Sequence, residues 1–320
     1  MTEEYKGLLL GGTCYDIDLV MDGGDDLYGG IEDFLSGYGM SEGIDTSKYE
    51  LVGNYDDITP GRYISIRTKA TGAITEIHLH SNIFTTDGDV HELRQQATAE
   101  GHRVITLFDR DYSYERLEIV LGRFLKPKQI VYARKCKVVG PMSFVNFMNE
   151  NHRQGGGQRV NGYGLEYEGE IVGCITIGKT RNSRSDILAG NETYELLRLC
   201  FKKGVAVVGG TEKLYRYWVK SNPHLIGKRI ITYSDATYNT GEVYDRLGFK
   251  KISEGSNSYY WVNPEINHWI FRSLCQKHKI YKAFGYDCDY KSVSEGGMMQ
   301  DAGYLYTSVM NQIKYEMTIE

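Results

Sequence analysis

Hydrophobic and polar positions recur with different periods along the chain, and each change of period marks an element. Residues 1–60 hold only weak apolar clusters, at Leu8 to Leu10 and Ile31 to Leu35, among 11 glycines. From residue 61 the pattern becomes regular. Tyr63 to Arg67 and Ile74 to His80 alternate at period two and predict strands. Asp89 to Glu100 predicts a helix closed by Gly101, His102 to Phe108 a buried strand, and Tyr114 to Leu125 a second helix. Pro127 then interrupts the chain. Beyond it the pattern predicts strand Gln129 to Val139, helix Pro141 to Glu150, a glycine-rich turn at Gln154 to Gly157, and strands Gly162 to Tyr167 and Glu170 to Gly178 around a Glu168-Gly169 hairpin turn. After the loop Lys179 to Glu192 come strand Tyr194 to Phe201, helix Gly209 to Ser221, strand Arg229 to Ser234, helix Gly241 to Leu247, and closing strands Lys250 to Glu254 and Ser258 to Val262.

Four stretches follow from this order: a glycine-rich appendage over 1–60, a small α/β unit over 61–128, a larger α/β (α+β) module with a mixed sheet over 129–264, and an extension over 265–320 of short helices and mixed loops. With 320 residues, 41% of them hydrophobic, the chain can bury one large core or two ordinary ones, which excludes a fibrous or wholly disordered protein. The net charge of −5 hides an asymmetry. Residues 1–60 carry 14 acidic groups against two lysines, a net of −12, so residues 61–320 carry a net of +7. The densest basic stretch is 119–149, which contains no acid and holds Arg123, Lys126, Lys128, Arg134, Lys135 and Lys137.

No apolar run approaches the ~18–20 residues that span a bilayer, and Met1-Thr-Glu-Glu lacks a signal-peptide pattern, so a cytoplasmic protein with no membrane partner is expected. The six cysteines form no CxxC pair and read as reduced, mostly buried thiols.

Candidate chemistry concentrates in the larger module. Val207, Val208, Gly209, Gly210 and Thr211 form a strand exit at a helix start, where backbone N–H groups and the helix dipole can hold a phosphate and Lys213 can add charge; a simple turn with Thr211 as N-cap explains the same residues. His152 follows an amphipathic helix and precedes three glycines, an open position from which an imidazole titrating near ~6.5 can take a proton. Ser234 and Asp235 end a strand, where polar groups face a ligand crevice or cap the next helix. Arg198 sits in an apolar strand and should meet an anion, from its own fold or from a ligand. Tyr259 and Tyr260 could stack on a nucleobase or fill a core.

The β-α-β-β-β-α-β-α-β order, with Tyr244 to Phe249 near its end, resembles the GNAT acyltransferase fold. The segments Ala133 to Cys136, Glu150 to Gly155, Tyr194 to Cys200, Val207 to Gly210, Tyr233 to Asp235 and Tyr259 to Trp261 resemble more specifically the phage Mom-like DNA-modification proteins and the C-terminal module of phage homing-endonuclease-like proteins. The resemblance implies a donor pyrophosphate at Gly209 to Thr211, activity at His152, and Tyr244 near the transferred acyl group. It also implies an acyl-CoA or another acyl or aminoacyl donor, although the usual Q/R-x-x-G-x-G/A signature is absent.

The 61–128 unit resembles the very-short-patch-repair-like nuclease domain that precedes this module in the phage proteins. Glu76, His80, His91, Phe108, Asp109 and Asp111 lie on that pattern, but Tyr63 to Ile66 offers no strand aspartate, so the unit reads as a degenerate nuclease. The leading expectation is a DNA-modifying transferase that protects phage DNA from restriction inside the infected host, with double-stranded DNA and a small-molecule donor as partners. In it His152 or Asp235 deprotonates a base amine or hydroxymethyl group and the basic stretch grips phosphates. The alternative is a homing-type endonuclease using Mg²⁺ at Glu76, His80, His91 and Asp109.

Overall fold

The computed structural model describes residues 13–14, 44–52, 63–80, 87–108, 111, 114–156, 161–180, 192–239, 241–254, 258–263, 268–272, 274–275, 277–284, 292–309 and 312–320. Four sheets organise them. The unit before Pro127 is a four-stranded sheet of β2 (Tyr49–Leu51), β3 (Tyr63–Thr68), β4 (Ile74–His80) and β5 (Arg103–Phe108), in that order, with helices α1 (Asp87–Ala99) and α2 (Tyr114–Leu121). Strands β4 and β5 are parallel, with α1 as their crossover. Its core is Ile66, Ile77, Ile105, Leu107, Leu117 and Leu121.

The expected acidic appendage does not stay separate where it is described. Ile44 packs into this same core, β2 forms its edge, and the Asp45 N–H donates to the Phe124 carbonyl at 2.8 Å.

Beyond Pro127 the expected strand Gln129 to Val139 splits. Strand β6 (Gln129–Tyr132) is followed by a 3₁₀ turn over Ala133–Lys135 and by β7 (Lys137–Met142); helix α3 then covers only Val145–Asn151. The main sheet adds β8 (Gly162–Tyr167), β9 (Glu170–Lys179), β10 (Thr193–Phe201), β12 (Arg229–Asp235), β13 (Lys250–Glu254) and β17 (Gln312–Thr318). Its order is β13-β17-β12-β10-β9-β8-β7. The β8–β9 turn has positive φ at both Glu168 (52°) and Gly169 (85°), the geometry that matches strand twist in a tight hairpin.

Helix α4 (Gly210–Ser221), after β11 (Val205–Val208), lays Leu214, Tyr215 and Trp218 on the sheet beside Leu165 and Ile175. Helix α5 (Glu242–Arg246) leads into β13. From β7 to β13 the order is that read from the sequence with the short strand β11 added before α4, and it builds a mixed sheet with flanking helices.

Two strand expectations are corrected. Ser258 to Val262, read as a closing strand of the module, is β14 (Ser258–Asn263) and belongs to another sheet, β1-β15-β14-β16, formed with β1 (Thr13–Cys14), β15 (His268–Phe271) and β16 (Leu305–Val309). Its place in the main sheet is taken by β17, from the extension read as helices and loops, which inserts antiparallel between β12 and β13. The extension does contain two short helices, α6 (Lys277–Phe284) and α7 (Glu295–Asp301). They pack Ile280, Met298 and Met299 against Trp261 and Ile270 in a separate core.

Candidate active site

Strand β10 positions the site because it pairs with β12 over only part of its length. The two are parallel at Thr193–Arg229, Tyr194–Ile230 and Glu195–Ile231, and share no register pair beyond that point. At the same place β10 bulges against β9: Leu196 pairs with Ile177 and Arg198 with Thr176, leaving Leu197 as the extra residue. A bulge bends a strand, increases its twist and re-aims the neighbouring side chains. The strands therefore splay, and the wedge between them opens into a cleft of about 930 Å³ lined by Glu195 to Phe201, Tyr233 to Asp235, His152 and Tyr244. Its opposite wall is the small unit, through Tyr49, Thr68, Thr75, Arg103 and Arg123.

The expected catalytic residues His152, Arg198, Ser234, Asp235 and Tyr244 all line this cleft, drawn from α3, β10, β12 and α5. His152 is a weaker base than its open sequence position suggested. Burial, then the cations Arg198 and Arg153, hold its pKa down at about 3. Its Nδ1 accepts the Gln154 N–H at 3.1 Å, so the neutral ring carries its proton on Nε2 and is a hydrogen-bond donor.

Arg198 meets backbone rather than a carboxylate. Its Nε donates to the Gly155 carbonyl at 3.1 Å and its Nη1 to the Leu197 carbonyl at 2.7 Å, and among the described residues it forms no ion pair. Ser234 is 3% exposed and its Oγ has no partner among the described residues. A buried orphan hydroxyl on a cleft wall is a position for a bound polar group.

Asp235 is half-committed. Its Oδ1 accepts the Thr237 N–H at 3.0 Å, while its Oδ2 lies 3.6 Å from Arg153 Nη1. Burial raises the Tyr244 pKa, against the opposing effects of Thr232 and Arg198, so the phenol stays protonated. Cys200 also lines the cleft, but burial pushes its thiol up to about 12, which leaves no thiolate nucleophile there.

Glu195 is a residue that sequence reasoning missed. It is half-buried on the cleft wall where the splay begins, and burial raises its pKa above the ordinary carboxylate value even though Arg198 opposes the shift. The available signal was an acid three residues before Arg198 in a strand otherwise apolar on one face. Arg153 was missed as well. It stacks on Tyr238 with its guanidinium 3.3 Å from the ring centre, donates to the Tyr238 hydroxyl, and has its Nε 3.3 Å from Asp111 Oδ1.

The residues expected to hold the donor form the start of α4, outside the cleft. Gly209, at φ 76°, is the N-cap of α4 and Thr211 lies inside the helix. Gly210 is required by packing, since a Cβ there would lie 2.6 Å from the Phe201 ring. Lys213 is spent on its own fold, donating to the Ala133 and Cys136 carbonyls at 2.8 and 2.7 Å. None of Val208 to Lys213 lines the cleft; Phe201, which does, packs against Gly210.

Of the expected DNA contacts, Lys126, Arg134, Lys135 and Lys137 are exposed, Lys128 lies 3.6 Å from Glu118, and Arg123 lies on the cleft wall. Tyr259 and Tyr260 are not stacking residues of the cleft. The Tyr259 hydroxyl donates to Glu295 at 2.8 Å and its ring meets Tyr306, while Tyr260 packs on Trp269 and Phe271.

Of the residues expected for the nuclease alternative, only the Glu76 side chain is described. Glu76 is taken by His78 and His102 at 2.7 and 2.5 Å, and Asp111 is wholly buried, accepting from Phe108 N–H and the Tyr238 hydroxyl. Asp109 and the side chains of His80 and His91 lie outside the described residues. Among the described residues no helix is long and apolar enough to cross a membrane.

No protein-family model and no curated protein matches the chain. Among solved structures it is similar to an N-acetyltransferase from Staphylococcus aureus Mu50, at 11% identity and TM-score 0.28 over 50% of this chain and 68% of that one. It is also similar to a Bacillus subtilis acetyltransferase in complex with CoA, at 12% identity and TM-score 0.33 over 58% of this chain and all of that one. At such low identity and overlap the likeness says nothing of substrate or mechanism.

Proposed function

We propose that the chain is an acyltransferase that joins donor and acceptor in the wedge between β10 and β12. The observation that carries this reading is the bulged, splayed β10, which leaves Glu195, Arg198, Ser234 and Tyr244 around one cleft. In the reaction an acceptor amine attacks the thioester carbonyl of an acyl-CoA. The new C–N bond forms as the C–S bond breaks, Glu195 takes the amine proton, and the leaving thiolate is protonated by Tyr244. General-base catalysis of this kind contributes about 10²–10⁴-fold. The neutral His152 supplies its Nε2–H as a hydrogen-bond donor, and Arg198 supplies positive charge, for the oxygen that develops anionic character.

The acceptor class that fits the surroundings is a DNA base amine. The exposed cations Lys126, Arg134, Lys135 and Lys137, with Arg123 on the cleft wall, supply phosphate contacts, and the cleft is large enough for a base flipped out of the helix. A phage enzyme of this kind would protect DNA from restriction by acylating its bases.

The test is to incubate the protein with acetyl-CoA and DNA, digest the DNA to nucleosides and weigh them. A nucleoside heavier by one acyl group, dependent on Glu195, is the expected result. Unmodified nucleosides with several acyl donors would remove DNA as the acceptor, and absence of donor turnover with any amine would remove the transferase reading itself.

A further inference from the structure

Successive residues of β4 face opposite sides of the small sheet. Thr75 lines the cleft; Glu76 and His78 share the other face. Behind the cleft wall, Glu76 Oε1 lies 2.5 Å from His102 Nδ1, and Glu100 Oε2 approaches the same nitrogen at 3.6 Å. The three ligand-capable atoms lie within 4.8 Å of one another. The second oxygen of Glu76 is held by His78 Nε2 at 2.7 Å.

We propose that Glu76, Glu100 and His102 bind a divalent transition-metal ion that pins the α1–β5 turn to the central strand. One proton on His102 Nδ1 can serve only one of two carboxylates at a time, whereas a cation in its place serves both. One imidazole nitrogen with two carboxylate oxygens is a donor set suited to Zn²⁺. Bonds of about 2.0–2.2 Å place tetrahedral ligands roughly 3.3 Å apart, so the Glu100 separation already fits and the Glu76 separation must open by about 1 Å. The His78 bond to the far oxygen of Glu76 is the outer-shell support that metal-ligating carboxylates use. Glu76 is buried and Glu100 exposed, which gives the ion an entry side.

The cluster sits at the N-terminal edge of the parallel β4–β5 pair, where Thr75 pairs with Arg103, and none of its residues lines the cleft. Its ion braces the fold and takes no part in acyl transfer. Glu100 and His102 flank Gly101, whose φ of 79° makes the sharp turn out of α1, so the ion closes a link between helix end, turn and strand.

The test uses the full chain stripped with a chelator, then titrated with Zn²⁺ by calorimetry and followed by thermal unfolding. Wild type should bind one equivalent that raises Tm. Glu100→Gln, an exposed change that spares the fold, and His102→Ala should each weaken that equivalent by about tenfold or more and abolish the Tm shift. No Tm response in wild type overturns the proposal. So does equal binding by wild type and Glu100→Gln, since Zn²⁺ held by cysteines elsewhere would survive that substitution.

Discussion

At the scale of single residues, the cleft holds two titratable groups whose surroundings push them to opposite uses. Burial raises the Glu195 pKa above the ordinary carboxylate value, and burial with two arginines lowers the His152 pKa to about 3. A carboxylate with a raised pKa is a better proton acceptor than a free one, whereas an imidazole at about 3 is neutral and nearly inert as a base at pH 7. For Glu195 the sign is fixed: below its raised pKa it is protonated and idle, and transfer rises as pH rises through that value. Glu195→Gln should therefore lower kcat about 10²-fold or more and remove the acidic limb of the rate–pH profile; a retained limb would assign it to another group. The His152 ring signals should show no titration between pH 5 and 8 by NMR, and a midpoint near 6.5 would restore His152 as a candidate base. The polar residues at the ends of predicted elements, His152, Ser234 and Asp235, were legible because strand and helix ends face crevices. Glu195 was not, because its accessibility comes from strand splay, which no local pattern encodes.

At the scale of elements, β17 decides the site's shape without belonging to the contiguous module. It pairs Asp235 with Gln312 and Ser234 with Ile313 along β12, and so fixes one lip of the wedge. Its Tyr315 ring packs on Tyr244 at 5.4 Å and lies against Gly241, the α5 N-cap, where φ is 80°. A Cβ on Gly241 would fall on the Tyr315 ring and hydroxyl, whereas one on Gly227, at φ 83°, would meet open space. Both substitutions to Ala incur the left-handed strain of roughly 1–2 kcal/mol, but Gly241→Ala adds an overpacking cost of about 1–3 kcal/mol. In urea unfolding Gly241→Ala should therefore be the more destabilised of the two and should lose activity, because Tyr244 must shift. Equal midpoints would mean that Tyr315 yields freely. Period-two alternation and paired turn residues revealed most strands, and the β8–β9 hairpin in particular. The exchange of β14 for β17 was illegible because the Gln312 to Thr318 alternation marks a strand without marking its partner, and only long-range pairing decides which sheet each segment joins.

At the scale of the whole molecule, the cleft exists because two units share one buried polar junction. Asp111, from the small unit, has its Oδ1 3.3 Å from Arg153 Nε and accepts the Tyr238 hydroxyl at 3.0 Å, and Arg153 also approaches Asp235. Backbone continues the join, with the Thr106 N–H donating to the Thr237 carbonyl at 2.8 Å and Arg94 Nη2 to the Ala236 carbonyl at 2.8 Å. Arg103 and Glu242 form an ion pair nearer the rim. The partners are 42 to 142 residues apart in sequence, which is why Asp111 could be laid on a nuclease pattern while its actual commitment stayed hidden. A buried ion pair adds little net stability over an apolar replacement, but removing one partner strands the other at about 3–5 kcal/mol. Asp111→Ala should therefore destabilise the chain by that order in denaturant unfolding and misplace Arg153, and with it the adjacent His152 on the cleft wall. The double variant Asp111→Ala with Arg153→Met should recover part of the loss, because the guanidinium that Asp111 balances is removed along with it. A double variant as unstable as the sum of the two single changes would show that Asp111 and Arg153 stabilise the junction independently, and that the units are held by the backbone bonds at Thr106 and Ala236 instead.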